Sequence, residues 1–187
     1  VANSLITGST GGFAIASSQG ANVASGTYLV DILNSTIADN TAGGVWTDDD
    51  AGNNQGIRVR NSIVANNGAY GIYRADASDP PAIIEYSDVL GHTTSDYYQA
   101  SAGTGTLSVD PIFVDAELGD YRLTTKSPLL NAAPWDGSLT ADLLGDTRVT
   151  DDGMVTMGAY ETAVPEPGTF ALALFVLAGL ALRRRSR

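Results

Sequence analysis

The chain has 187 residues, no cysteine and a formal net charge of −11; residues 1–164 hold 20 of its 21 acids and six of its ten bases, a net of −14. A body this acidic excludes nucleic acid as a partner, and it repels anionic polysaccharides unless a cation such as calcium intervenes. The lack of cysteine removes cysteine-based zinc and redox sites, and the abundance of Gly, Asn, Asp, Ser and Thr predicts turns rather than helices.

From the N-terminus, three segments align with one another: VANSLITGSTGGFAI from Val1, ILNSTIADNTAGGVW from Ile32 and VRNSIVANNGAYGIY from Val59. Each carries an apolar residue two places before an Asn-Ser pair, another three places after the Asn, then a glycine-containing turn and a further apolar pulse. Asn3, Asn34 and Asn61 lie 31 and 27 residues apart, and a weaker copy, IEYSDVLG, sets Ser87 a further 25 beyond Ser62. Such spacings predict a solenoid.

Within a unit the apolar runs are two to four residues long, too short for helices. Pulses such as Ile57 to Val59, Ile63-Val64 and Ile72-Tyr73 read as strands, with turns at Asn61-Ser62 and Asn66-Asn67-Gly68. Coils stacked about 4.8 Å apart align like side chains. The expected inner ladders are Val1, Ile32 and Val59; Ile6, Ile37 and Val64; and Phe13, Val45 and Ile72. Asn3, Asn34 and Asn61 are expected to stack at a corner as a structural ladder, each amide bonding to the next. The pattern resembles the right-handed parallel β-helix repeat of pectate-lyase-like proteins over residues 1–106. The polar excursions Thr47 to Gly56, Asp76 to Pro81 and Gly91 to Thr106 are expected to leave the cylinder as surface loops.

Several residues in these coils invite a chemical reading. Arg58 and Arg60 share one strand face and should point outward, where they either meet a glycan or form a solvated face. Asp48, Asp49 and Asp50 are the densest acidic run and the calcium candidate; otherwise no cofactor is expected, and the run matches no EF-hand spacing. Asp39, Asn66 and Asp88 form a conceivable acidic row, the kind of arrangement a glycosidase needs. His92, the only histidine, follows Gly91 as in the Gly-His of polygalacturonases, but without paired aspartates it reads as a surface residue. One histidine and no Gly-x-Ser-x-Gly elbow leave no nucleophile triad, and no catalytic residue is assigned.

From Leu107 the repeat stops, and residues 107–163 read as an irregular cap. Asp110-Pro111 and Ser127-Pro128 end extended runs, Gly119-Asp120 turns, and Phe113, Tyr121, Leu123, Leu129 and Leu130 supply apolar cover for otherwise unpaired strand edges. The block is similar to the C-terminal segment of surface β-helix proteins of the choice-of-anchor Q type over Asp110 to Glu161. Matching residues are Asp110, Pro111, Phe113, Asp115, Gly119, Asp120, Tyr121, Arg122, Leu123, Ser127, Pro128, Gly145, Arg148 and Gly158 to Glu161. Ala133 and Met157 depart from that pattern.

Residues 164–187 are the one stretch that reads as a helix. Thirteen apolar residues run from Phe170 to Leu182 behind Pro167-Gly168 and end on Arg183, Arg184, Arg185 and Arg187. They cover about 20 Å, short of a hydrocarbon core of about 30 Å, but the flanks favour a transmembrane helix at about 169–182 with the arginines cytoplasmic. Val164-Pro165-Glu166-Pro167, the apolar helix and the arginine cluster together resemble the PEP-CTERM sorting signal of Gram-negative bacteria. That resemblance implies recognition and removal of the tail by exosortase, a membrane protease-transpeptidase. It also implies an inner-membrane intermediate and a final place at the cell surface or in the extracellular matrix. Export requires a signal peptide, expected upstream of Val1, so the chain reads as a C-terminal part.

The reading is therefore all-β: a right-handed parallel β-helix with an irregular cap and one C-terminal transmembrane helix. Its expected role is non-catalytic association with glycan or matrix. The alternative is a polysaccharide lyase or glycoside hydrolase whose catalytic coils lie upstream.

Overall fold

The computed structural model describes residues 1–18, 28–48, 56–75, 77, 81–148 and 152–162. Each repeat unit folds as one coil whose short strands fall into three parallel walls. Wall A holds β3 (Val30–Leu33), β6 (Ile57–Arg60) and β9 (Ile83–Glu85). Wall B holds β1 (Leu5–Thr7), β4 (Thr36–Ala38), β7 (Ile63–Ala65) and β10 (Asp88–Leu90). Wall C holds β2 (Phe13–Ser18), β5 (Gly43–Asp48), β8 (Tyr70–Arg74) and β11 (Ser95–Tyr98). Every pairing within these walls is parallel. The result is a β-helix-like fold with no α-helix among the described residues.

Register decides which side chains fill the cylinder. Ile32, Val59 and Ile84 stack in wall A, with Val1 above them and 52 % exposed. Ile6, Ile37, Val64 and Val89 stack in wall B. The third column is Ile15, Val45, Ile72 and Tyr97, so the expected place of Phe13 is taken by Ile15. Phe13 pairs instead with Gly43 on the outer row, and a Cβ at Gly43 would sit 2.3 Å from the Phe13 ring. Ile32, Ile37, Val45, Val59, Val64, Ile72 and Val89 are fully buried, each stabilising the stack by about 1.5–3 kcal/mol. Tyr97 belongs to β11, so Gly91 to Thr106 does not leave the cylinder: its middle completes wall C under β8.

The coil turns corners through left-handed residues. Between walls A and B these are Asn3, Asn34, Asn61 and Tyr86, with φ of 50°, 45°, 50° and 45°. Between walls B and C they are Gly8, Asp39, Asn66 and Gly91. Asn, Asp and Gly tolerate this conformation best, which is why the repeat keeps them there. Just inside the first corner runs a hydroxyl ladder of Ser4, Ser35, Ser62 and Ser87. Each Oγ donates to the carbonyl two residues back. The Ser35, Ser62 and Ser87 oxygens accept from the serine N–H one coil earlier, at 3.1–3.2 Å.

The expected amide ladder needs correction in the same terms. Asn3, Asn34 and Asn61 do occupy equivalent corners, but their amides do not bond to one another. Asn3 Nδ2 donates to Ala141 O at 2.6 Å, Asn61 Nδ2 donates to Pro134 O at 2.9 Å, and Asn34 Nδ2 is buried without a partner. The amide-to-amide bond lies one corner later, where Asn40 Nδ2 donates to Asn67 Oδ1 at 2.8 Å.

Residues 103–109 run beneath the last coil, with Leu107 bridging Asp88 in parallel. The chain then turns back along the outer face of wall B. There β12 (Phe113–Asp115) and β13 (Asp120–Leu123) form one antiparallel ribbon, joined by a short 3₁₀ turn, and β14 (Ala133–Pro134) with β15 (Met154–Val155) forms another. Leu123, Leu129, Ala133, Val155 and Met157 pack on Ile63 and Ala65. Tyr121 donates to Asp39 and bonds Thr7, Ala159 N donates to Thr36 Oγ1, and Gly158 N donates to Asn61 O. Buried Arg148 donates to Asn3 Oδ1, Gly158 O and Glu161 Oε1. The block thus flanks the stack from its first coil to its last.

Candidate functional site

The residues singled out by sequence are mostly committed to structural bonds. Arg58 and Arg60 do share the outer face of wall A. Arg58 is bonded to Asp31, its cross-strand neighbour, through Nε at 2.9 Å and also through Nη2, and its guanidinium lies 4.2 Å from the Tyr28 ring centroid. The bond to Asp31 raises its pKa. Arg60 reaches across to Asp136 of the flanking block at 3.1 Å.

The conceivable acidic row does not form. Asp39 and Asn66 are equivalent, but the third corner position is Gly91; Asp88 lies three residues earlier and pairs with Ile63. Asp88 is fully buried, with Oδ1 accepting from Val109 N at 2.9 Å and Oδ2 without a partner. Burial pushes its carboxyl up to about 6.

His92 is not a surface residue. Its side chain is 0 % exposed and stands next in the column of Ser9, Asn40 and Asn67. In that column Asn40 and Asn67 accept from the backbone N–H one coil earlier and donate to the carbonyls of Ile6 and Ile37. His92 repeats the pattern: Nδ1 accepts from Asn67 N at 3.2 Å, and Nε2 lies 3.2 Å from Val64 O. Only the neutral tautomer with Nε2–H satisfies both, and burial accordingly lowers its pKa. The only histidine of the chain is therefore out of reach of a substrate.

Asp48 ends β5, while Asp49 and Asp50 lie outside the described residues. Among the described residues no group of three or more His, Asp or Glu could hold a metal ion. Val164, Pro165, Glu166 and Pro167, the arginines Arg183, Arg184, Arg185 and Arg187, and the helix expected at about 169–182 also lie outside them. Among the described residues no helix is long and apolar enough to cross a membrane.

A feature that the sequence reading passed over stands on the outer face of wall C. Trp46, Tyr73 and Tyr98 occupy one register row, and Phe13 and Tyr70 occupy another three residues earlier along the strands. Tyr73 and Tyr98 stack with centroids 4.4 Å apart and planes 6° apart; Tyr70 meets both edge-on at 4.9 and 5.5 Å. Phe13 lies 6.5 Å from Trp46 and 5.9 Å from Tyr73. Asp48 adds negative charge beside Tyr73, whose pKa is raised, chiefly by desolvation and then by its tyrosine neighbours. At the strand ends the row meets an open cleft of about 440 Å³ lined by Arg74, Ala77, Pro81, Gln99, Ala100 and Ser101. Arg74 Nε donates to Gln99 O, Gln99 Nε2 donates to Ala75 O, and Gln99 Oε1 has no partner. The signal was in the repeat: Trp46, Tyr73 and Tyr98 are spaced 27 and 25 residues, as Ser35, Ser62 and Ser87 are. This arrangement offers ring surface and hydrogen-bonding groups, a surface suited to binding.

The family described as the PEP-CTERM protein-sorting motif matches residues 163–185. No curated protein and no solved structure matches the chain. The matched motif indicates an exported protein sorted by exosortase to the cell surface or the extracellular space.

Proposed function

We propose that the chain belongs to a surface or matrix protein and that its body associates with extracellular polysaccharide without cleaving it. The observation that carries this reading is the sorting motif at 163–185 on a body of stacked parallel coils. Two features support a non-catalytic role: the single histidine is sealed inside the stack, and Arg58 and Arg60 are held in ion pairs. The body is a right-handed parallel β-helix of the pectate-lyase-like, choice-of-anchor Q type. Its right-handedness follows the general rule for parallel crossovers. The tail crosses the inner membrane as a helix at about 169–182 until exosortase removes it, with Arg183, Arg184, Arg185 and Arg187 on the cytoplasmic side.

The test sets the full chain against neutral and acidic polysaccharides, with and without calcium, and follows binding, unsaturated products and reducing ends together. Binding without new ends is the expected result. Unsaturated products would establish a lyase, and new reducing ends alone a hydrolase; either would overturn the non-catalytic reading.

A further inference from the structure

We infer that the outer face of wall C is the polysaccharide-binding surface and that its ligand is a neutral glycan chain. The inference rests on the reading of the body as a glycan-associating surface protein. Wall B is covered by the flanking block, whereas wall C presents five aromatic rings gathered from all four of its strands, with Tyr98 at the rim 38 % exposed. Pyranose rings carry apolar C–H faces ringed by hydroxyls. Aromatic side chains with polar tips match that amphipathic surface, because the ring takes the C–H face while the phenol meets a hydroxyl.

The cleft supplies the rest of the site. It continues the same two strands, since Arg74 follows Tyr73 and Gln99 follows Tyr98. A sugar seated against Tyr98 brings its hydroxyls to the exposed Ser101 of the cleft.

Charge selects the class of glycan. The body carries −14 over residues 1–164, and Asp48, two residues beyond Trp46 on β5, adds a carboxylate to the same face of the strand. A uronate chain laid along this row meets that net negative charge, offset only at the cleft by Arg74, whereas a neutral chain is indifferent to it. The same charge opposes a second copy of the chain, which would bring an equally acidic surface.

Affinity electrophoresis of the full chain through gels containing hydroxyethyl cellulose, galactomannan or polygalacturonate tests this. Retardation by at least one neutral polymer, little changed by salt, is expected. Tyr98→Ala and Trp46→Ala should each weaken it about tenfold. Tyr98 is at the exposed rim, so its variant keeps the fold, checked by an unchanged circular dichroism spectrum; Gln99→Ala probes the cleft separately and should also weaken retention. Trp46 is one of two tryptophans, so the neutral polymer should also shift the intrinsic fluorescence, and Trp46→Phe should abolish the shift. Neutral-polymer retardation that survives all these variants overturns this surface and leaves the glycan-associating reading intact. Calcium-dependent retention by polygalacturonate alone overturns it in favour of the acidic loops. A dimer dissolved by Tyr98→Ala, with no retention by any polymer, gives the face to a second copy and overturns both readings.

Discussion

Two buried carboxyl environments carry opposite lessons. Asp88 is more easily protonated in the fold than in the unfolded chain, because burial raises its pKa to about 6. A raised folded pKa contributes stability that is complete below the unfolded value of about 3.9 and is lost as pH rises through about 6. Asp88→Asn should therefore raise the melting temperature at pH 8, by the equivalent of about 1–2 kcal/mol, and change little at pH 4. His92 acts in the opposite direction. Its lowered pKa means that stability is present above about 6.5 and falls as the pH drops below it, so the Asp88 slope is best read in a His92→Asn background. Glu161 is held differently, by Arg148 at 2.9 Å with both groups buried. Arg148→Met removes that cation and the bonds to Asn3 and Gly158, and should cost about 3–5 kcal/mol by chemical denaturation. Arg148→Lys should recover little, since one ammonium cannot span three acceptors in the same fork.

At the level of the element, the stack is pinned by two polar columns running parallel to its apolar ones. A β-coil of three- to six-residue strands has little intrinsic register, and a slip by one residue would turn every side chain over. Serine hydroxyls at one corner and Asn40, Asn67 and His92 at the next give each coil a donor and an acceptor for its neighbour. Replacing Asn67 by Leu strips the acceptor from Asn40 Nδ2 and the donor from Ile37 O inside a dry column, and should destabilise by about 3 kcal/mol. His92→Asn, which keeps both roles, should stay within about 1 kcal/mol of the parent, whereas His92→Ala should lose about 1–3 kcal/mol. Equal losses for the two would show that the ring packs there and does not act as a ladder member.

For the whole molecule, the flanking block changes what a solenoid ordinarily is. Stacked coils interact only with their neighbours, so their stability adds up coil by coil. Here Arg148 and Ala141 reach back to Asn3 across 145 and 138 residues of sequence, and Tyr121 spans Thr7 and Asp39 of two successive coils. The block ties first and last coils into one cooperative unit. Sorting acts on the segment that follows this unit in the chain. Mass spectrometry of the protein recovered from the cell surface should find chains ending before Arg187, and Pro165→Ala with Glu166→Ala should leave full-length chains in the membrane fraction. Surface material that still carries Arg187 would refute removal of the tail.

Much of this was legible in the sequence, because a solenoid repeats its local physics. Unit spacings of 31, 27 and 25 residues placed the strands, the corners and two of three apolar columns before any coordinates. The third column failed at Phe13 because a glycine-containing turn of variable phase precedes it, and period alone does not say where alternation restarts. Equivalence along the stack also does not say which way a side chain leaves a left-handed corner. Asn3, Asn34 and Asn61 were recognisable as equivalents, yet only the packed flank gives Asn3 and Asn61 their partners. His92 was unreadable for a related reason, since it stands in a ladder otherwise built from asparagine and serine. The sequence by itself determined an acidic, all-β, coil-repeating body with a sorting tail, each being a local or compositional property. Tertiary structure alone decided where residues 107–148 and 152–162 lie and that aromatic residues far apart in the chain share one outer face. Those outcomes depend on contacts between segments with no common pattern.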